Sequence, residues 1–268
     1  MRLRLKRKRR YPYRPPNGPR AHLSAEFFAP RTLTAGGDLP NGSPRDLYSV
    51  WKEIPNGHKW LHYFEPYESV VAPLAKRPIR MLEIGVYNGS SIRMWRKYLH
   101  PDSIIVGLDI DPGCKQYERP DENLHVRIGD QSDASIRRLV DEFGPFDLIL
   151  DDGSHMSSHM VASFNHLFLD GLTSPGVYIV EDTHSNFWQG FRDRDYSFVD
   201  LCKDLVDFMH CHYVDHHGEP FFRREGKEAL ASLQVPRICA EIDEIRFKDS
   251  LVIIYKKTKT SLPSSVHL

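Results

Sequence analysis

From residue 79 onward, short runs of apolar and β-branched residues alternate with longer segments of helical period, and no other feature of the chain constrains its fold as strongly. The runs are Ile79 to Ile84, Ile104 to Leu108, His125 to Ile128, Phe146 to Leu150, Val177 to Val180, Glu244 to Phe247 and Leu251 to Tyr255. Between the early ones lie Ser90 to Leu99, Ala134 to Glu142 and His155 to Leu169, each amphipathic and of helical length. Such alternation predicts parallel strands joined by crossover helices. Only Lys248, Asp249 and Ser250 separate the last two runs, so these are expected to form an antiparallel hairpin. The expected fold is α/β and Rossmann-like, a mostly parallel seven-stranded sheet with a C-terminal antiparallel hairpin.

Upstream the composition changes. From Ser24 to about Asn56 the chain is rich in Pro, Gly and Asn, and only Asp46 to Ile54 looks capable of a short helix. His58 to Ala75 carries Trp60, Leu61, Tyr63, Phe64, Tyr67, Val70, Val71 and Leu74 at near-helical spacing, a segment suited to cover the sheet edge or the mouth of a site. The expected organisation is an extension over residues 1–56, largely disordered or linker, one α/β domain over 57–258 and a flexible tail over 259–268. A chain of 268 residues has room for one good-sized core.

The formal charge of zero hides an asymmetry. Residues 1–25 hold nine Lys or Arg and no acid, so 27 of the 36 basic residues face all 36 acids beyond them. The basic run with Tyr11 and Tyr13 could grip nucleic acid or an anionic membrane. Pro12, Pro15, Pro16 and Pro19 favour a solvated tail instead, and nucleic acid is not an expected partner. No apolar run approaches the roughly 20 residues of a membrane span. Cys114, Cys202, Cys211 and Cys239 are scattered without a CxxC pair, which fits a reducing, cytoplasmic setting.

The chemistry-bearing residues cluster at the predicted carboxyl ends of strands, where open α/β sheets bind ligands. After the first strand, Gly85 and Gly89 allow close backbone approach to a ligand, and Ser90 or Ser91 can cap the next helix. Asp109 ends the second strand, 24 residues beyond Gly85, where an acid reaches ribose hydroxyls; Asp111 before Pro112 is the better candidate for a purely capping role. In Gly129-Asp130-Gln131-Ser132-Asp133, an acid or amide can read an adenine edge. Glu83, Gly85, Asn88, Ser90, Asp109, Asp130, Gln131 and Asp151 form the expected cofactor-binding set. Asp151-Asp152-Gly153-Ser154-His155 ends the fourth strand and Glu181-Asp182 the fifth, so several carboxylates converge and call for a hard dication such as magnesium.

The runs MLEIGVYNGSSIRMW, VGLDID, GDQSD, DLILDDGSH and GVYIVED, in this order, resemble the metal-dependent sugar O-methyltransferases of macrolide and other glycosylated natural-product pathways, of the mycinamicin 2''-O-methyltransferase type. Cephalosporin-hydroxylase-like proteins share part of the pattern. The similarity covers roughly Gly57 to Lys257 and includes the closing DSLVIIYKK strand. It implies a class I methyltransferase domain using S-adenosyl-L-methionine and Mg2+ or another divalent cation. It further implies Asp152, Glu181 and Asp182 as metal ligands, His155 as general base, and a sugar hydroxyl of a glycoside, glycolipid or polysaccharide as acceptor. A homo-oligomer is compatible with it.

Other readings use the same residues. A catechol-like phenol would also chelate magnesium. His155 and His159, four apart, could join Asp152 in a two-histidine, one-carboxylate centre of a metal-dependent hydroxylase, although this leaves Glu181, Asp182 and the glycine loop without a role. His210, Cys211, His212, His216 and His217 fit no familiar ligand spacing and suit the end of a helix over Val199 to Met209. Phe187, Trp188, Phe191 and Tyr196 follow the metal strand and are placed to stack on a sugar, with core packing an equal alternative for Trp188. Tyr63, Phe64 and Tyr67 could line the opposite wall.

Overall fold

The computed structural model describes residues 31–34, 46–213 and 232–263, so the basic N-terminal run, His216 and His217 lie outside the described residues. The chain divides into Met1–Asp38, of which only 31–34 are described and carry no regular structure, and Leu39–Leu268.

The second unit holds a seven-stranded sheet of β1 (Arg80–Ile84), β2 (Ile104–Asp109), β3 (Leu124–Ile128), β4 (Phe146–Asp151), β5 (Leu172–Val180), β6 (Ile242–Lys248) and β7 (Leu251–Lys256), in the order β3-β2-β1-β4-β5-β7-β6. The first five strands pair in parallel; β7 lies antiparallel between β5 and β6. Seven strands and the closing hairpin are as expected. The fifth strand begins at Leu172, well before the apolar run that announces it, because Gly176 and Pro175 interrupt the pattern without ending the strand.

Among the described residues, seven α-helices accompany the sheet: α1 (Asp46–Lys52), α2 (Phe64–Leu74), α3 (Ser90–Tyr98), α4 (Arg138–Phe143), α5 (Ser157–Leu167), α6 (Phe198–Met209) and α7 (Arg237–Glu241). Alternation along the strands sends Met81, Ile105, Leu148, Leu150, Ile179 and Ile253 into one core with Tyr63, Tyr67, Ile92 and Trp95. Leu82, Ile84, Val106, Ile149, Tyr178 and Val252 enter a second core with Met160, Phe164, Phe198 and Leu205. Both faces are covered, which explains why the inner strands are continuously apolar. Helix α1 lies within the 1–56 segment, and its Leu47 is fully buried in the first core, so packed structure starts upstream of residue 57.

Two topological facts position the site. Strand order reverses between β1 and β4, opening a crevice at their carboxyl ends. The β6–β7 turn returns to that edge, where the Ser250 carbonyl accepts from Thr183 N at 3.1 Å.

Candidate active site

A cavity of about 500 Å3 opens over the carboxyl ends of β1, β2 and β4. Gly85 forms its floor with φ at +94°, and a Cβ there would lie 2.1 Å from the Asp152 carbonyl oxygen, so only glycine fits. Asp109 lines the next wall. Its Oδ2 accepts from the backbone N–H groups of Val86 at 2.8 Å and Tyr87 at 2.9 Å, and its Oδ1 from Asp111 N at 2.9 Å. Burial works against its ionisation, but these backbone donors prevail and hold its pKa below the ordinary carboxylate value. Asp111 caps the following 3-10 turn through Gly113 N at 2.8 Å.

Asn88, Ser90, Asp130 and Gln131 also line the cavity. Asn88 Nδ2 donates to the Asn56 carbonyl at 2.8 Å, and Ser90 Oγ to the Pro55 carbonyl at 3.3 Å, tying the glycine loop to the strap that precedes Trp60. Gln131 accepts from Ser154 N at 2.7 Å and donates to Asp151 Oδ1 at 3.0 Å, joining the loops after β3 and β4. Two members of the expected cofactor set lie behind the wall rather than on it. Asp151 is buried between Ser163, Gln131 and Tyr178, and desolvation pushes its pKa up to about 6. Glu83 is buried beside Ser91 and Trp95 with neither carboxylate oxygen in a well-formed hydrogen bond; desolvation, countered in part by Lys59, lifts it to about 7.

The acids after β4 and β5 meet at the deeper end of the cavity. Ligand atoms of Asp152, His155 and Asp182 all lie within 4.8 Å of one another. His155 Nε2 is 3.7 Å from Asp182 Oδ2, and its Nδ1 is buried without a partner. The Tyr63 hydroxyl donates to Asp182 Oδ1 at 2.6 Å. His155 and Asp182 both occupy left-handed backbone, at φ +59° and +53°, a strained conformation that surrounding structure must enforce. Glu181 stands apart from the trio. Its Oε1 accepts from Lys59 Nζ at 2.5 Å, while the same ammonium donates to Asp152 Oδ2 at 2.6 Å. Burial alone would lower the Lys59 pKa, but Asp152 and Glu181 raise it above the ordinary lysine value, so the ammonium stays charged. Desolvation, and repulsion from an Asp152 that shares this cation, push Glu181 up to about 8.

Lys59 carries no sequence signal beyond being a lone cation among aromatics, and only the fold reveals its partners. The two-histidine centre does not assemble. The positive φ of His155 turns the chain before α5 begins at Ser157, so the two rings do not share a helical face, and His159 Nδ1 pairs with Ser154 Oγ at 2.8 Å. In the other histidine group, His212 Nδ1 lies 3.4 Å from Cys239 Sγ and His210 Nδ1 2.8 Å from the Val206 carbonyl. Trp188 is about half exposed, not core, and packs edge-on to His184 at 4.4 Å, which in turn meets Trp60 at 6.0 Å. Tyr63, Phe64 and Tyr67 are buried in the first core, while Trp51, which packs against Phe64, and Trp60 line the cavity.

No protein-family model matches the chain. It is 37% identical over 177 residues to the 8-demethyl-8-alpha-L-rhamnosyl tetracenomycin-C 2'-O-methyltransferase of Streptomyces olivaceus, covering 60% of this chain and 46% of that protein. It is 37% identical over 165 residues to the mycinamicin VI 2''-O-methyltransferase of Micromonospora griseorubida, covering 55% of this chain and 40% of that protein. The chain thus spans less than half the length of these two relatives. Among solved structures, the MycE methyltransferase of the mycinamycin biosynthetic pathway, in complex with Mg and SAH, superposes with a TM-score of 0.66 at 25% identity, covering 81% of this chain and 55% of that one. The chain is therefore similar in sequence to sugar O-methyltransferases and shares the Rossmann-like methyltransferase fold of MycE.

Proposed function

We propose that the chain is an S-adenosylmethionine-dependent, Mg2+-assisted O-methyltransferase acting on a sugar hydroxyl of a small glycoside or glycan. The observation that carries this reading is the convergence of Asp152, His155 and Asp182 beside the Gly85 and Asp109 cradle. Support also comes from its relatives, which are sugar O-methyltransferases, and from MycE, which was solved with Mg and SAH. The residues fit both groups. Clustered carboxylates suit a hard dication, with the His155 imidazole beside them free to serve as a base, and a glycine floor beside an acid at the end of β2 suits a nucleoside. When bound, the donor supplies an electrophilic methyl group and the dication makes an acceptor hydroxyl easier to deprotonate.

Asp109 binds the ribose, while Asp130 and Gln131 stand at the adenine side. Gly85, Asn88 and Ser90 shape the bed of the methionine part, with Glu83 buried behind them. Asp151 holds the β4 loop in register through Gln131. Asp152, Glu181 and Asp182 would hold the metal. His155 takes the hydroxyl proton at Nε2, and Asp182, fixed by the Tyr63 hydroxyl, stabilises the imidazolium that results. Trp60, which lines the cavity, borders the acceptor, with Trp188 behind it through His184. A cytoplasmic setting belongs to this reading and rests on the scattered cysteines.

The test is transfer of a labelled methyl group from S-adenosylmethionine to a panel of rhamnosides and related deoxysugar glycosides, with Mg2+ and with chelator. A methyl ether that forms only with the metal is expected, and His155→Gln should lower its rate by about 100-fold or more at unchanged S-adenosylhomocysteine affinity. Undiminished turnover by that variant would remove His155 as the base. Failure of the wild-type protein to bind S-adenosylhomocysteine would sink the reading as a whole.

A further inference from the structure

Lys59 is a cation at the acid cluster that the methyl-transfer reading leaves without a task. Its side chain is only 4% exposed and its Nζ lies in the gap between Asp152 Oδ2, at 2.6 Å, and Glu181 Oε1, at 2.5 Å. A magnesium ion binds carboxylate oxygens at about 2.0–2.1 Å. An ion held by those same two oxygens would fill the same gap, and two cations cannot share it. We propose that Lys59 is the resident cation of this cluster, occupying between Asp152 and Glu181 the position a divalent ion takes, so that metal binding must expel it. The inference rests on the metal-assisted reading above.

Three features of the structure support a displaceable ammonium rather than a permanent ion pair. First, one ammonium faces three carboxyl groups, Asp152, Glu181 and Asp182, and a dication relieves their mutual repulsion better than Lys59 does. Second, the gap is open on one side: the Glu181 side chain is 2% exposed and that of Asp152 22%, and both residues line the cavity together with Lys59. An incoming ion approaches past Asp152, and the lysine has cavity space to enter. Third, Lys59 sits on no helix or strand. It belongs to the strap of residues 55–60, pinned to the glycine loop at Pro55 and Asn56 and touching His184 through Trp60, so its flexible stem can swing while the strap stays anchored. Competition of this kind makes the divalent ion weakly held and exchangeable, and makes the position of Lys59 a reporter of occupancy.

The test uses the full chain at one fixed pH and two readouts that need no turnover. Calorimetric titration with MgCl2 should give a dissociation constant at least tenfold lower for Lys59→Met than for the wild type, since the competitor is gone. In the wild-type protein, the rate of Lys59 acetylation by an N-hydroxysuccinimide ester, followed by peptide mass spectrometry, should rise several-fold at saturating Mg2+, while the half-exposed Lys97 serves as an unaffected reference. Equal or weaker Mg2+ binding by Lys59→Met, or a Lys59 acetylation rate that Mg2+ leaves unchanged or lowers, overturns the inference and leaves methyl transfer standing. Absence of Mg2+ binding by both proteins overturns this inference and the metal-assisted reading together. Should Lys59→Met not fold, the wild-type labelling experiment decides alone.

Discussion

Glu83, on the central strand, and Gly85, just beyond its end, show how differently single positions are constrained at this site. At Gly85 the limit is steric and absolute, because φ is +94° and any Cβ would meet the Asp152 carbonyl at 2.1 Å. Gly85→Ala should therefore cost about 2 kcal/mol or more in stability and at least tenfold in S-adenosylhomocysteine affinity, read by urea denaturation and calorimetry. At Glu83 the limit is electrostatic. Desolvation raises its pKa from 4.5 to about 7, so the folded chain holds a proton there that the unfolded chain has released. The sign follows from linkage: the contribution is whole below about pH 4.5 and is lost as pH rises through 7. Glu83→Gln, which cannot ionise, should gain on the wild type between pH 5 and pH 8 by about 1–3 kcal/mol, measured by urea melts at both values. A difference independent of pH would show that Glu83 does not titrate in this window.

Among the elements, the inner strands were legible because their message is local: a short, β-branched apolar run bounded by Gly, Asp or Pro favours a buried strand over a helix. The carboxyl-end acids were legible for the same reason, since Asp109, Asp152 and Asp182 each directly end or follow such a run. The segments before the sheet were harder to read. Helix α1 has seven residues, follows a Pro-rich stretch and holds one fully buried side chain, Leu47, so its membership in the core depends on contacts with α2 and α3 that no periodicity announces. The backbone N–H of Leu47 also donates to Glu68 Oε2 at 2.8 Å, anchoring α1 on α2. Leu47→Ala should destabilise the fold by about 2–4 kcal/mol, an amount appropriate to a core leucine and far above that of a linker position. A loss under about 0.5 kcal/mol in chemical denaturation would mean that α1 is an appendage. Lys59 was hidden for a related reason: its partners lie 93 and 122 residues away, and a single lysine in an aromatic stretch carries no pattern.

For the whole molecule, the decisive feature is that one short segment serves both halves of the proposed site. Asp152 N donates to the Ile84 carbonyl at 2.9 Å, and the Asp152 carbonyl presses on Gly85, so the peptide that carries a proposed metal-side acid also shapes the proposed cofactor floor. Gln131 extends the link, because it binds the next loop at Ser154 while lining the nucleoside side. In the proposed reading, an ion that fixes the Asp152 side chain would also fix backbone against which the cofactor would pack. Binding at one place should favour binding at the other by the same factor in both directions. Each ligand alone should stabilise the fold by mass action, about 2.7 kcal/mol at a hundredfold excess over its dissociation constant, which for a chain of this size raises the melting temperature by about 5–10 °C. Coupling adds a further expectation: Mg2+ should lower the dissociation constant of S-adenosylhomocysteine by about five-fold or more, and S-adenosylhomocysteine should do the same for Mg2+. Two calorimetric titrations, each repeated at saturation of the other ligand, measure both factors. Unequal factors would point to a measurement fault, whereas factors of one in both directions would show that the Asp152 segment is rigid enough to serve the two sites independently.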